Sequence, residues 1–354
     1  VRDPHDNPSI LIDDQGYIWV FVSGRGRKRM GFKYKSKNPY SVDGFRKIST
    51  EEMTYPQPKK MGSGYFNFFT KYTGVRQLYF EKSVNGKDGS TDKMLAAIPE
   101  KKGEKSGHYQ VSAHFNEKKI GTFFNRHPNG KVDQRTDLFY LQTREKGDTW
   151  STVDNQLIEI PVTDINSPSK VVDYAELEKN IYLKDMTYDP QGNPICLYIR
   201  SNGHEPGPKS SPYEWCITRW NGDEWMTHII TTSDHNYDMG SLLFQGEKLY
   251  LIGPTAIGPQ KWGVGGELQL WTSNDLGKNW SKEKDLTQNS LVNHSYVRKS
   301  EIFKSPFVFF WASGHAHQFG KSELFFGNLE GNIWQLPYDM EKETERPKPL
   351  KTYK

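Results

Sequence analysis

The stretch SNDLGKNW at residues 273–280 indicates the fold most directly. It is close to the pattern S-x-D-x-G-x-T-W, in which glycine permits a tight turn and tryptophan packs between neighbouring sheets. Residues 143–150 form a weaker copy that ends in GDTW. Because turns of this kind close the outer hairpin of a four-stranded sheet, they predict a scaffold and carry no catalytic implication.

A repeat of roughly 50 residues surrounds these turns, and that is about the length of one blade of a β-propeller. Each repeat begins with a short polar and aromatic segment, which is followed by an apolar strand, a polar loop and a second apolar strand. Six repeats are recognisable, beginning at residues 5–10, 54–56, 108–111, 185–188, 235–238 and 293–296. The sequence therefore predicts an all-β fold, a β-propeller with four-stranded antiparallel blades.

The predicted propeller occupies residues 1–340, and residues 341–354 form a polar C-terminal tail. An open propeller would leave unpaired strands at its edge. Because the first repeat begins at His5, with no room for a preceding closing strand, either six blades close the propeller or there is a seventh, and we expect seven. The seventh would lie partly upstream of Val1, so the N-terminal part would be missing from this chain. Residues 167–180 are predicted to form a short helical excursion between blades.

Composition narrows the range of partners. The 354 residues are 14% aromatic, with 31 Gly and 20 Pro, and the net charge is +4. A mild basic excess suits an anionic partner. Basic and acidic residues are interleaved, which argues against nucleic acid, and no stretch approaches the roughly 18 apolar residues of a membrane helix. Cys196 and Cys216 are too few for a cysteine metal site and could be a disulfide or two buried thiols. We expect a secreted or periplasmic monomer.

Histidine, arginine and tyrosine concentrate where a propeller would expose them on one face, at the start of the innermost strand and in the loop between the second and third strands. In the second and third repeats this loop is predicted over residues 70–76 and 125–137. The candidate catalytic residues are His5, Arg25 and Tyr72. The candidate substrate-binding residues are Asn7, Arg27, Arg76, His108, Arg126, Arg135, His204 and Glu205. Each has a purely structural alternative, such as a solvated basic loop for Arg25 and Arg27 or rim packing for Tyr72 and Arg76.

These residue types favour eliminative cleavage of a uronic acid. An arginine fork binds a carboxylate through two hydrogen bonds and makes the adjacent C–H bond more acidic. A tyrosine or histidine then removes that proton, and a second group protonates the leaving oxygen. Glycoside hydrolysis normally needs two carboxylates across the bond, whereas the same predicted face holds few, namely Asp6, Glu205 and Asp238.

Four strings extend the argument to a known family. HDNPSI at residues 5–10, GYIWVFVSG at 16–24, FTKYT at 69–73 and GHYQVS at 107–112 resemble the BNR-4 repeat family. The resemblance implies a seven-bladed propeller, and the family includes ulvan lyases, rhamnose–glucuronate lyases and an α-L-rhamnosidase group.

The resemblance also implies roles for individual residues. It makes His5 an acid/base histidine, Tyr72 the catalytic tyrosine, and Arg76 or Arg126 the group that neutralises the substrate carboxylate. Arg25 stands where lyases of this type often have a second histidine. No cofactor is expected to be required, although the family is known to bind a structural Ca²⁺ or Zn²⁺.

Three functions follow as expectations. The first is a polysaccharide lyase that acts on an acidic polysaccharide or oligosaccharide, at a uronic acid in a rhamnose–glucuronic acid linkage. The second is an α-L-rhamnosidase, whose relatives place their chemistry on the opposite face. The third is a glycan-binding propeller without catalytic activity.

Overall fold

A computed structural model describes residues 7–26, 28–61, 64–83, 91–99, 106–116, 119–144 and 146–350. The chain is all-β and divides into two compact units, residues 1–173 and 174–354. Each unit contains three antiparallel sheets of the kind expected for propeller blades.

The first unit contains blades one to three, each of four strands in sequential order. Blade one consists of β1 (Ser9–Ile12), β2 (Ile18–Val22), β3 (Gly31–Ser36) and β4 (Phe45–Glu51). Blade two consists of β5 (Thr54–Met61), β6 (Gly64–Tyr72), β7 (Arg76–Ser83) and β8 (Lys93–Ala96). Blade three consists of β9 (Gly107–Phe115), β10 (Lys119–His127), β11 (Thr136–Thr143) and β12 (Lys170–Val172).

The second unit contains blades four to six. Blade four consists of β13 (Asn180–Tyr188), β14 (Pro194–Ser201), β15 (Tyr213–Trp220) and β16 (Trp225–Ser233). Blade five consists of β17 (Ser241–Gln245), β18 (Lys248–Ala256), β19 (Glu267–Ser273) and β20 (Ser281–Asp285). Blade six consists of β21 (Asn293–Lys304), β22 (Phe307–Gly314), β23 (Glu323–Gly327), β24 (Ile333–Gln335) and β25 (Lys348–Leu350).

The two tryptophan-terminated turns have the predicted form. Residues 273–280 join β19 to β20, and Gly277, at a φ of +87°, donates its N–H to the Ser273 hydroxyl. Residues 143–150 follow β11, and Trp150 lies 5.1 Å from Phe80 of blade two, measured between ring centroids. Trp150 is 2% exposed and belongs to a core formed by strands of blades two and three. The weaker copy therefore joins neighbouring blades, as the tryptophan of such a turn should.

Four expectations about the structure need correction or comment. The described residues form six blades rather than seven. Residues 167–180 contain β12 and a turn instead of a helical excursion, because the segment supplies the fourth strand of blade three. Within the predicted polar tail, Lys348–Leu350 pairs with Ile333–Gln335 and extends blade six. Cys196 and Cys216 are both free and buried, so the disulfide alternative is wrong.

Candidate functional site

The hairpin between β6 and β7 brings two predicted site residues together. Tyr72 ends β6, Arg76 begins β7, and the two are directly opposite in the antiparallel register. Directly opposed residues share one face of a sheet, and the Arg76 Cζ atom lies 5.6 Å from the centroid of the Tyr72 ring. The loop predicted over residues 70–76 is therefore shorter, and both side chains project from strand ends, where the ladder fixes their backbone.

Arg76 is a buried cation that has no counter-anion among the described residues. The residue is only 6% exposed, and its Nη1 donates a hydrogen bond to the Tyr109 hydroxyl. Its Cζ lies 4.9 Å from the ring centroids of both Tyr55 and Tyr109. Within the described part of the chain Arg76 forms no ion pair with a carboxylate, and its buried Nε has no hydrogen-bond partner. The guanidinium therefore keeps donors available for a ligand.

Arg135 adds a second guanidinium. Its Cζ lies 3.9 Å from the centroid of the Tyr109 ring, within cation–π range. The Tyr55 and Tyr109 rings are 5.9 Å apart between centroids. We call the group formed by Tyr55, Tyr72, Arg76, Tyr109 and Arg135 the tyrosine–arginine cluster.

The environment of Tyr55 keeps its phenol protonated at neutral pH. Burial raises its pKa to about 12, although the positive charges of Arg76, Arg25 and Arg135 act in the opposite direction. The Tyr55 phenol therefore keeps a proton that it can donate. Tyr72, in contrast, is 42% exposed and accessible to a substrate.

The loop after β2 borders the cluster. Arg25 is exposed, and its charge acts on the Tyr55 phenol. A Cβ atom built on the adjacent Gly26 would lie 3.3 Å from the Tyr72 Cβ, so this loop packs closely on the hairpin. Asn7 is exposed and precedes β1, whose Ser9 hydroxyl donates to the Pro56 carbonyl next to Tyr55. The predicted His5 and Arg27 lie outside the described residues.

Arg126 occupies a different environment, which makes it a poor substrate-binding group. It is 2% exposed, and its Nε lies 2.6 Å from Oδ2 of Asp137, which is fully buried. The charge of Arg126 is therefore compensated within blade three. Of the two arginines that could neutralise a substrate carboxylate, the structure favours Arg76.

His108 cannot present a ring nitrogen to a substrate, contrary to our expectation. The residue is fully buried, its Nδ1 lies 2.9 Å from the Asn125 carbonyl, and its Nε2 accepts the Ile98 N–H at 3.1 Å. The backbone thus fixes a neutral tautomer with hydrogen on Nδ1. Burial lowers the pKa of His108 to about 4, which agrees with this neutral form.

His127 is a neighbour of the cluster that was not among the predicted site residues. Its ring centroid lies 5.4 Å from that of Tyr109, and the residue is 1% exposed. Neither of its ring nitrogens has a hydrogen-bond partner within the described chain. Burial, with the nearby His108, Arg135 and Arg76, lowers its pKa to about 3. His127 is thus a neutral imidazole at neutral pH.

The second unit holds the remaining predicted site residues. His204 is half-buried and Glu205 exposed, in the loop between β14 and β15, and neither side chain has a hydrogen-bond partner among the described residues. Both ring nitrogens of His294 have hydrogen-bond partners. Nδ1 accepts from Trp311 Nε1 at 2.9 Å, and Nε2 lies 3.0 Å from the Ser290 hydroxyl. The expectation that histidines at strand starts project onto a face is thus wrong for His108 and His294.

Residues 1–233 match the sequence profile of the BNR repeat-containing family, described as BNR repeat-containing family member. The chain belongs to this BNR repeat family.

Ulvan lyases are among the proteins that are similar to this chain in sequence. An ulvan lyase of Nonlabens ulvanivorans is 24% identical over 85% of this chain and 68% of its own length. A PL25 ulvan lyase of Pseudoalteromonas sp. (strain PLSV) is 24% identical over 63% of this chain and 52% of its own length. The chain thus spans about half the length of that relative.

Solved structures agree on the fold. A PL25 ulvan lyase structure has a TM-score of 0.75 and 18% identity, covering 92% of this chain and 79% of the other. A second structure, described as PL25 ulvan lyase bound to -[GlcA(1-4)Rha3S]-, has a TM-score of 0.74 and 17% identity, with the same coverage. At these identities the likeness establishes a β-propeller fold and nothing further.

The family resemblance raises the question of a structural Ca²⁺ or Zn²⁺. Across the described ranges of this BNR-repeat chain, no group of three or more His, Cys, Asp or Glu side chains could hold a metal ion. The residues that are described therefore do not fit such a group, and we derive no step through it. Nor does the described chain contain a helix long and apolar enough to cross a membrane.

Proposed function

We propose that this protein is a polysaccharide lyase that cleaves by β-elimination at a uronic acid, in a rhamnose–glucuronic acid polymer of the ulvan type. The observation that carries the proposal is Arg76, a buried guanidinium that has no carboxylate partner among the described residues and is surrounded by three tyrosines. Burying a cation without an anion costs several kcal/mol, and a substrate carboxylate would offset that cost. The names of the similar ulvan lyases support the same reaction class.

The reaction begins with charge neutralisation. The substrate carboxylate binds the Arg76 guanidinium, which stabilises the negative charge that develops when the adjacent C–H bond is broken. Tyr72 acts as the phenolate: its oxygen removes that proton and becomes a phenol, and Tyr72 is the exposed tyrosine beside Arg76. The electron pair forms the new C=C bond, and the C–O bond to the next sugar breaks.

The leaving oxygen then takes a proton, so that atoms and charge balance. Tyr55 offers a phenol that stays protonated because burial raises its pKa to about 12. The acid/base role predicted for His5 remains a prediction, because that residue lies outside the described chain. A polymeric substrate cannot enter a cell intact, and for this reason we place the activity outside the cytoplasm, in a secreted or periplasmic protein.

The decisive experiment follows ultraviolet absorbance of the unsaturated uronide during incubation with ulvan. The wild-type protein should produce this absorbance, and Arg76→Met should lower kcat by about 100- to 1,000-fold, as loss of one charge-stabilising donor commonly does. Arg46→Ala is the matched control, because Arg46 is exposed on β4 of blade one. Its activity should equal that of the wild type.

The same incubation separates the other functions. Free rhamnose without ultraviolet absorbance would indicate an α-L-rhamnosidase and contradict the proposal. Binding of the oligosaccharide without any product would indicate a glycan-binding propeller and contradict it as well.

A further inference from the structure

Tyr109 lies at the centre of the tyrosine–arginine cluster. Its hydroxyl accepts a hydrogen bond from Arg76 Nη1, and its ring faces the guanidinium groups of Arg76 at 4.9 Å and Arg135 at 3.9 Å. Tyr55 and His127 pack on the same ring, with centroids 5.9 and 5.4 Å away. Tyr109 thus contacts both cations of the cluster, the Tyr55 ring and the neighbouring His127.

The backbone of Tyr109 is held firmly. Tyr109 is paired with Asn125 in the β9–β10 ladder, and its N–H donates to the Asn125 side-chain oxygen at 3.2 Å. The neighbouring His108 is anchored by two backbone contacts. Because successive residues of a strand point to opposite faces, the buried His108 directs Tyr109 to the other face, where Arg76 lies.

Arg76 depends on Tyr109 for its orientation. The Arg76 side chain makes one hydrogen bond with the described residues, and it donates this bond to the Tyr109 hydroxyl. A guanidinium has five N–H donors in a fixed fork, so the bond at Nη1 and the contacts with the tyrosine rings restrict its orientation and leave other donors for a ligand. The ring also reduces repulsion between Arg76 and Arg135, because cations are attracted to its π face.

We propose that Tyr109 is a positioning residue of the lyase: its hydroxyl and ring hold the Arg76 guanidinium where the uronate carboxylate binds. The inference rests on the proposed function and deepens it. Tyr109 itself transfers no proton in this scheme.

A double-mutant cycle tests the coupling. Tyr109→Phe keeps the ring but removes the oxygen that accepts from Arg76, and it should lower kcat on ulvan by about 10- to 100-fold. KM should change less than kcat, because the carboxylate interaction strengthens as charge develops in the transition state. In an Arg76→Met background the same substitution should change kcat by less than about twofold, since its partner is already absent.

Tyr140→Phe is the matched control. Tyr140 is 1% exposed, and its hydroxyl donates to Gln142 within blade three, so the variant also loses a buried phenol hydrogen bond. Its kcat should equal that of the wild type. Thermal unfolding of each variant verifies that it is folded.

An unchanged kcat in Tyr109→Phe, or an equal loss with and without Arg76, would overturn the inference. If the wild type forms no unsaturated uronide, the proposed function fails, and calorimetric binding of a glucuronate oligosaccharide replaces kcat in the same cycle. Non-additive losses of affinity would then support the role of Tyr109, and additive losses would overturn it. Absence of both cleavage and binding would overturn both proposals.

Discussion

Arg76 in blade two and Arg126 in blade three are buried to nearly the same degree, with 6% and 2% of their surface exposed. Arg126 Nε contacts a buried carboxylate, that of Asp137, at 2.6 Å. Arg76 has a phenol as its hydrogen-bond partner and three aromatic rings around it. The two arginines therefore differ in whether a described residue of the protein compensates their charge.

This difference distinguishes residues of the structural framework from residues of the candidate functional site. A buried ion pair within the protein is part of the fold, and removal of one member leaves the charge of the other uncompensated. A buried cation without an anion lowers stability, so its retention indicates a ligand that supplies the missing charge. The same criterion distinguishes His108, whose ring nitrogens both contact the backbone, from His127, whose nitrogens have no partner within the described residues.

The largest effect is expected from breaking the ion pair. Arg126→Met should lower the free energy of unfolding by about 3–5 kcal/mol, because Asp137 would remain buried without its cation. Urea denaturation measures this. Asp137→Asn introduced into Arg126→Met removes the uncompensated charge and should recover part of the loss. If Arg126→Met unfolds at the same urea concentration as the wild type, the framework role of Arg126 is wrong.

Acidification should destabilise the protein through its buried histidines. The pKa of His108 is about 4 and that of His127 about 3, below the ordinary value of 6.5. Between the pKa of each buried histidine and 6.5, the unfolded chain binds more protons than the folded chain. The contribution of these histidines to stability is therefore complete above pH 6.5 and falls as the pH decreases below it. Each histidine should cost about 2 kcal/mol at pH 5. His235 and His294, both with a pKa of about 4, should add to the effect.

Asp238 should oppose this trend, because burial raises its pKa to about 8. The folded chain therefore keeps a proton on Asp238 between pH 3.8 and 8, and its contribution to stability decreases as the pH rises through that window.

His127→Gln should reduce the acid sensitivity measured by denaturation at several pH values. An unaltered dependence would show that His127 does not stay neutral in the folded chain.

A smaller effect is expected at Gly107, opposite His127 in the β9–β10 ladder. A Cβ there would lie 1.9 Å from the His127 Cε1, so Gly107→Ala should displace the ring that packs on Tyr109. We expect a loss of about 1–3 kcal/mol in unfolding free energy. Gly320→Ala, where a Cβ meets nothing within 4 Å, is the control. Equal stability of the two variants would contradict the packing.

The smallest stability effect is expected at Arg76. Arg76→Met removes a buried cation that forms no ion pair with the described residues, so the free energy of unfolding should stay within about 1 kcal/mol of wild type or rise. Its activity should nevertheless be lost. A loss of stability as large as that of Arg126→Met would remove the distinction between the two arginines.

The sequence predicted the blades well but the strand ends poorly. The period and the tryptophan-terminated turns located all six sheets of the described chain. The loops predicted over residues 70–76 and 125–137 were too long, so Tyr72, Arg76 and Arg126 belong to strands. Apolar patterns end where polar site residues begin, although hydrogen bonding of the ladder continues past that point.

Residue type alone could not separate Arg76 from Arg126. The Asp137 partner lies on the next strand, and a register shift between Phe124 and Arg126 affects how these strands meet. Sequence spacing does not reveal such an irregularity. The sequence analysis did not include Tyr109 among the site residues, although it lies in the GHYQVS string, because the adjacent His108 was chosen as the candidate. The alternation of strand faces was the available signal, since a buried His108 directs Tyr109 to the opposite side.

The most direct test of the account is a crystal structure of the Tyr72→Phe variant with a glucuronate-containing oligosaccharide. We expect the uronate carboxylate to accept hydrogen bonds from the Arg76 guanidinium, with the Arg126–Asp137 pair intact. A carboxylate bound elsewhere, with Arg76 free of contact to the sugar, would contradict the account.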